Sequence, residues 1–150
     1  MMKEIYTEIE INASASVVWD ILTFFDNYTQ WNPFIKEISG HQRVGSHLDV
    51  FIKPANSNGM RFKPKILSYK PEEELIWLGS LWIPKLFDGE HSLIIKKIDE
   101  DSVLFIQKEK FTGLLVPLLS SMLNSTKSGF ESMNRALKRE AEDKGMFIGK

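Results

Sequence analysis

The chain has 150 residues, no cysteine and a net charge of -1. That length fits one domain of ordinary size, the missing cysteines exclude disulfides and thiol chemistry, and the even charge balance excludes the basic excess of a nucleic-acid binder. Hydrophobic residues make up 43% and charged residues 26%, an ordinary soluble composition, but ten Phe, four Trp and three Tyr are a heavy aromatic load.

The first residues carry no apolar targeting core, so the expectation is a cytoplasmic protein. Ile5, Thr7, Ile9 and Ile11 alternate with Glu4, Tyr6, Glu8 and Glu10, the period of a half-buried strand. Ser14 or Ser16 can cap a short helix to about Phe24, and its Val17, Val18, Ile21 and Leu22 recur at helical spacing. A second short helix or turn starts at Asp26 and must end before Pro33, leaving Trp31-Asn32-Pro33-Phe34 at a chain reversal. Strands are expected near 35–41, 47–53, 60–69, 73–80, 88–98 and 102–111, separated by Gly, Asn, Pro and Asp turn signals. Such short connections favour antiparallel hairpins. The loop from Leu81 to Phe87 turns around Pro84 and holds Trp82, Leu86 and Phe87, which suits a rim or gate.

From Leu114 the period becomes helical. Leu115, Leu118, Leu119, Met122, Thr126, Gly129, Phe130, Met133, Ala136, Leu137 and Ala141 share one face. The expected helix opens at Pro117, bends at Gly129 and stops at Gly145. At 1.5 Å per residue it would be roughly 40 Å long, enough to cover a sheet. The architecture is therefore α+β: a seven-stranded curved antiparallel sheet wrapped around one long C-terminal helix, with two short helices after the first strand. Residues 1–150 read as a single domain.

The order of elements and several local motifs resemble the START-like, or Bet v 1-like (SRPBCC), superfamily. The residues that carry the resemblance are Ala15-Ser16-Val17-Val18-Trp19-Asp20-Ile21-Leu22, Trp31-Asn32-Pro33-Phe34, Phe87-Asp88-Gly89-Glu90-His91, Phe111-Thr112-Gly113-Leu114-Leu115-Val116-Pro117 and Gly129-Phe130-Glu131-Ser132-Met133-Asn134. Together they are similar to the bacterial polyketide cyclase/dehydrase-type branch, over nearly the whole chain. The resemblance implies a helix-grip fold with a deep apolar cavity between sheet and helix, holding a hydrophobic small molecule. It does not choose a function, because one fold hosts many.

Strand parity gives the cavity wall. His91, Leu93 and Ile95 share one face; so do Val103, Phe105, Gln107, Glu109 and Phe111; so do Leu75, Trp77 and Gly79; so do Phe62, Pro64 and Ile66. If these faces look inward, His91, Gln107 and Glu109 are polar groups among aromatics. A histidine beside a carboxylate in an apolar pocket can exchange protons near neutral pH, which suits proton removal next to a carbonyl. The plainer reading is that His91 and Glu109 only orient a ligand, since structural pairs perturb pKa values too. The rings of Trp31, Phe34, Phe62, Trp77, Phe87, Phe105, Phe111 and Phe130, with Leu115, Leu119 and Met122, either fill the core or line a ligand site. Trp19 is expected to pack helix on sheet.

His41 and His47 have no third ligand at metal spacing, and no phosphate loop, dinucleotide fingerprint or nucleophile elbow occurs. No metal and no cofactor are expected. Three functions remain open. The first is binding of a lipid-like or polyketide-like hydrophobic molecule. The second is a cyclase/dehydrase-type enzyme with His91 and Glu109 as acid and base. The third is a co-chaperone-like interaction module. The expected partner is a hydrophobic small molecule, with no nucleic acid and no stable membrane insertion, and a homodimer is allowed.

Overall fold

The computed structural model describes residues 2–80 and 85–148. Strand β1 (Met2–Ile11) leads into helix α1 (Ala15–Thr23), a 3-10 turn at Phe25–Asn27 and the one-turn helix α2 (Tyr28–Trp31). Strands β2 (Ile35–Ser39), β3 (Asp49–Ile52), β4 (Met60–Phe62), β5 (Lys65–Lys70), β6 (Glu74–Ser80), β7 (Asp88–Asp99) and β8 (Ser102–Thr112) follow. Helix α3 (Ser120–Ile148) closes the chain after a 3-10 turn at Val116–Leu118.

The period of two in β1 does what it predicts: Ile5, Thr7 and Ile11 are buried while Tyr6, Glu8 and Glu10 are exposed. The Ser14 side chain caps α1 by accepting from Val17 N at 3.2 Å. Ser14→Ala should therefore cost about 1 kcal/mol, read as a fall in melting temperature of about 2–4 °C. Trp19 on α1 is buried and meets the Tyr69 ring of β5 edge-on at 5.2 Å, so it does join helix to sheet. Asn32 explains the reversal after α2. Its Oδ1 accepts from Phe34 N at 2.9 Å and Ile35 N at 2.8 Å, a side-chain turn that tips Phe34 into the core.

All neighbouring strands pair antiparallel. One ladder runs β1-β8-β7-β6-β5 and a second runs β2-β3-β4. The expected strand at 60–69 is interrupted, giving eight strands instead of seven. The cause is Pro64, which has no N–H to give the ladder. Pairing resumes beyond it: His47 bridges Lys65, Leu48 N donates to Pro64 O at 2.8 Å, and Ile66 N donates to Ser46 O at 2.9 Å. The two ladders thus form one curved surface with a crease at Pro64.

Helix α3 lies in the hollow of that surface. Phe130, Met133, Ala136, Leu137 and Ala141 are buried along its inner face. Its start and end differ from expectation. The segment around Pro117 forms a separate 3-10 turn, and α3 begins at Ser120. The break shifts the helical phase, so Val116 is buried and Leu118 is 77% exposed. Gly145 does not end the helix, which continues to Ile148. Its backbone is not in the left-handed region, and a helical glycine costs only about 1 kcal/mol. Gly129 has a packing role: a Cβ there would strike the Phe34 ring, and the helix runs through it unbroken. Among the described residues no helix is long and apolar enough to cross a membrane. The expected gate residues Trp82 and Pro84 lie outside the described residues.

Candidate functional site

The middle of the sheet places the polar candidates side by side. Antiparallel register sets His91 of β7 directly opposite Glu109 of β8, Trp77 of β6 opposite His91, and Gly79 opposite Gly89, which in turn faces Phe111. Side chains of Trp77, His91 and Glu109 therefore rise in one row across three strands, with a second row beside it that is almost bare. A Cβ on Gly89 would collide with Glu109 Oε2, and one on Gly79 would press on the Phe62 ring at 3.1 Å. The two glycines leave the floor space that the Glu109 carboxyl and the Phe62 ring occupy.

His91 is 3% exposed and held on every side. Phe130 of α3 stacks on it at 4.7 Å between ring centres, and Trp77 meets it edge-on at 4.9 Å. Its Nε2 lies 2.9 Å from Gln107 Oε1, and its Nδ1 lies 4.0 Å from Glu109 Oε1. The second distance is too long for a direct hydrogen bond. Burial is the main influence on the imidazole and lowers its pKa from 6.5 to about 4, against a smaller opposing pull from the Gln107 hydrogen bond. Burial raises the Glu109 carboxyl from 4.5 to about 8. Its side chain keeps 16% exposure. Both shifts favour the neutral forms, so near pH 7 the pair stands as imidazole and carboxylic acid.

A void opens in front of this row. It is bordered by Phe34 at the foot of β2, Phe62 of β4, Phe87 before β7, Phe111 of β8 and Met122 of α3, together with His91 and Glu109. Its volume is about 70 Å³. Strand parity places Ile52 and Gly79 on the cavity wall, and both border it; Pro54, Met60, Ser80, Gly89 and Thr126, which sequence reasoning did not name as lining, border it too. Thr126 was legible as a polar residue on the inner face of α3. Pro54 sits in a loop beyond β3, where periodicity carries no signal.

The other candidates lie elsewhere. Trp77, Phe105 and Phe130 are fully buried in the core behind the void. Gln107 is fully buried and reaches the void only through His91. Trp31 packs edge-on against Tyr28 at 5.2 Å, away from the sheet's polar row. Leu115 and Leu119 are half-buried against the core outside the border of the void. Phe87 and Phe111 stack at 5.3 Å and form one wall. His41 and His47 are both exposed. Among the described residues no cluster of three metal-ligating side chains occurs.

Two more buried polar residues belong with the row. Asn134 of α3 and Thr7 of β1 are 2% and 6% exposed. Asn134 bonds Gln107 at 2.8 Å and Thr7 at 2.9 Å. The signal for both was present: each is a polar residue on an otherwise apolar face, Thr7 between Ile5 and Ile9, Asn134 one turn beyond Phe130.

Known proteins share this fold. A family model described as polyketide cyclase / dehydrase and lipid transport matches residues 2–142. Comparison with curated proteins gives no match. Among solved structures, the Zhui aromatase/cyclase from Streptomyces sp. R1128 is similar with a TM-score of 0.77 at 12% identity, over 95% of this chain and 94% of that one. A norcoclaurine synthase point mutant from Thalictrum flavum gives 0.73 at 15% identity, over 95% and 96%. A START superfamily protein from Mycobacterium smegmatis gives 0.71 at 21% identity, over 93% and 97%. At these identities the likeness establishes the helix-grip fold.

Proposed function

The chain belongs to the polyketide cyclase / dehydrase and lipid transport family, and from that premise we propose that residues 1–150 are one domain that binds a hydrophobic or aromatic small molecule between sheet and α3. The observation that carries this reading is the make-up of the void: aromatic and aliphatic walls, with His91 and Glu109 grouped at one place. Apolar walls supply the burial that drives uptake. A few convergent polar groups set orientation.

The size of the void sets a condition. Pockets for drug-sized ligands measure roughly 300–1,000 Å³, well above the 70 Å³ present. A larger guest must displace wall side chains. Ile52, Met60, Phe62 and Met122 are the half-buried apolar ones, and methionine repacks easily. On this reading the protein works in the cytoplasm with a small molecule as its partner.

A second reading rests on the proton inventory. A carboxylic acid and a neutral imidazole 4.0 Å apart are an acid and a base in one apolar site, the pairing that cyclisation or dehydration next to a carbonyl requires. A panel of fatty acyl compounds and aromatic hydroxy-ketones, titrated into wild type, His91→Ala and Glu109→Gln, separates the two. Wild type should bind at least one aromatic hydroxy-ketone, and His91→Ala should weaken it about tenfold, the worth of one hydrogen bond. Binding of none of the panel defeats the binding reading. Product formation by wild type, lost in Glu109→Gln while binding persists, establishes the enzyme.

A further inference from the structure

A buried chain of hydrogen bonds runs behind His91, and each link in it has one possible direction. The chain is anchored at the Gln107 main-chain carbonyl, which can only accept. The Thr7 hydroxyl lies 2.7 Å from it and spends its single proton there. The 2.9 Å contact between Asn134 Nδ2 and Thr7 Oγ1 must then run from amide to hydroxyl. This turns Asn134 Oδ1 towards Gln107, where it accepts from Nε2 at 2.8 Å. The Phe130 carbonyl, 3.4 Å from the same Nε2, is a second group that can only accept and calls for the same orientation. Gln107 Oε1 is left facing His91 Nε2 at 2.9 Å. An amide oxygen cannot donate, so Nε2 carries the proton. A neutral imidazole has one N–H, and Nδ1 is therefore bare. It is Nδ1 that faces Glu109. Thr7, His91, Gln107 and Asn134 are all buried.

We propose that Thr7 and Asn134, acting through Gln107, are positioning residues that hold His91 in the single tautomer protonated at Nε2, with the Nδ1 lone pair presented to Glu109 and the void. The direction of the whole chain is set by one main-chain carbonyl of β8 and transmitted through side chains of β1 and α3. Neutral His91 is then an acceptor towards the void and never a donor. Taken with the reading of the void as a ligand site, this names the ligand's polar end: a hydroxyl or enol that donates to His91, beside a carbonyl that accepts from the Glu109 acid.

The test is long-range proton–nitrogen correlation NMR on unliganded protein labelled with 15N-histidine, at pH 7. His41 and His47 are exposed and serve as internal references for solvent-facing rings. His91 is expected as one species, with Nε2 protonated and Nδ1 bare. A protonated Nδ1, or an average like that of the two exposed rings, overturns the proposal. Because no ligand is present, this result is independent of whether the void binds anything. Gln107→Leu removes the acceptor at Nε2 and should release the proton to both ring nitrogens, giving a mixture of tautomers. Asn134→Leu leaves Gln107 only its 3.4 Å contact and should give a mixture of tautomers. A His91 that stays wholly Nε2–H in folded Asn134→Leu protein removes Asn134 from the positioning role. The wild-type spectrum decides the tautomer even if neither variant folds.

Discussion

Phe130→Ala should destabilise the protein by about 3–5 kcal/mol. Phe130 is fully buried at the middle of α3. Its ring meets Phe34 edge-on at 5.6 Å and stacks on His91 at 4.7 Å, so three elements lose a shared packing partner at once. The surroundings are poorly placed to collapse. Phe34 is held by the Asn32 turn and by the missing side chain of Gly129, and His91 is tied to Gln107. A site that cannot relax keeps its cavity, which puts the cost at the upper part of the usual range for a lost aromatic ring. Thermal unfolding should show a fall of roughly 10 °C. A change within about half a kcal/mol would mean that the ring contributes no more than a surface residue.

Stability should also fall as the solution is taken from pH 6.5 towards 8, and Glu109 is the cause. Its folded pKa, about 8 against 4.5, is raised, so its contribution is complete below pH 4.5 and drains away as pH rises through 8. His91 is lowered, about 4 against 6.5, so its contribution is complete above 6.5 and drains away as pH falls through 4. Between 4.5 and 6.5 the two slopes oppose each other and the net dependence is shallow. Above 6.5 only Glu109 remains. The interval from 6.5 to 8, at about 1.4 kcal/mol per unit, bounds the loss near 2 kcal/mol. The 16% exposure of the carboxyl lets solvent screen part of it, leaving about 1–2 kcal/mol. Urea unfolding of wild type and Glu109→Gln across this range reads the effect directly. The wild-type curve should decline with pH and the variant's should not. Parallel curves would show that Glu109 ionises as freely folded as unfolded.

Much of this was legible from residue order, for physical reasons that differ by element. The alternation in β1 and the helical face from Phe130 to Ala141 are strong periods, and tertiary packing agrees with them. Parity along β7 and β8 put His91, Gln107 and Glu109 on one inner face, because a strand's side chains have only two directions to choose from. Pro64 and Pro117 were read as compatible with their elements. The first interrupts a ladder through the N–H that proline lacks, and the second sits in a separate 3-10 turn ahead of α3. The border of the void was less legible. Pro54 reaches it from a loop and Met60 from the three-residue β4, segments too short or irregular to show a period. The partnership of Thr7 with Asn134 crosses from the first strand to the last helix, a contact that strand parity alone does not specify.

The pairing of β1 with β8 bears on the order in which the fold can assemble. Met2 lies opposite Thr112 and Ile11 opposite Val103, so β1 precedes its ladder partner β8 by about a hundred residues. During synthesis it must wait, unpaired, while every other strand is made. Such a non-local closure is slow, on the order of milliseconds to seconds, and a waiting strand is open to wrong partners. Its outward row answers that hazard. Glu4, Glu8 and Glu10 point to solvent along the strand that also forms the edge of the finished sheet, and like charges deter a second copy from joining there. The same glutamates guard the chain twice: once while β1 waits for β8, and again when its far side is the open border of the completed sheet.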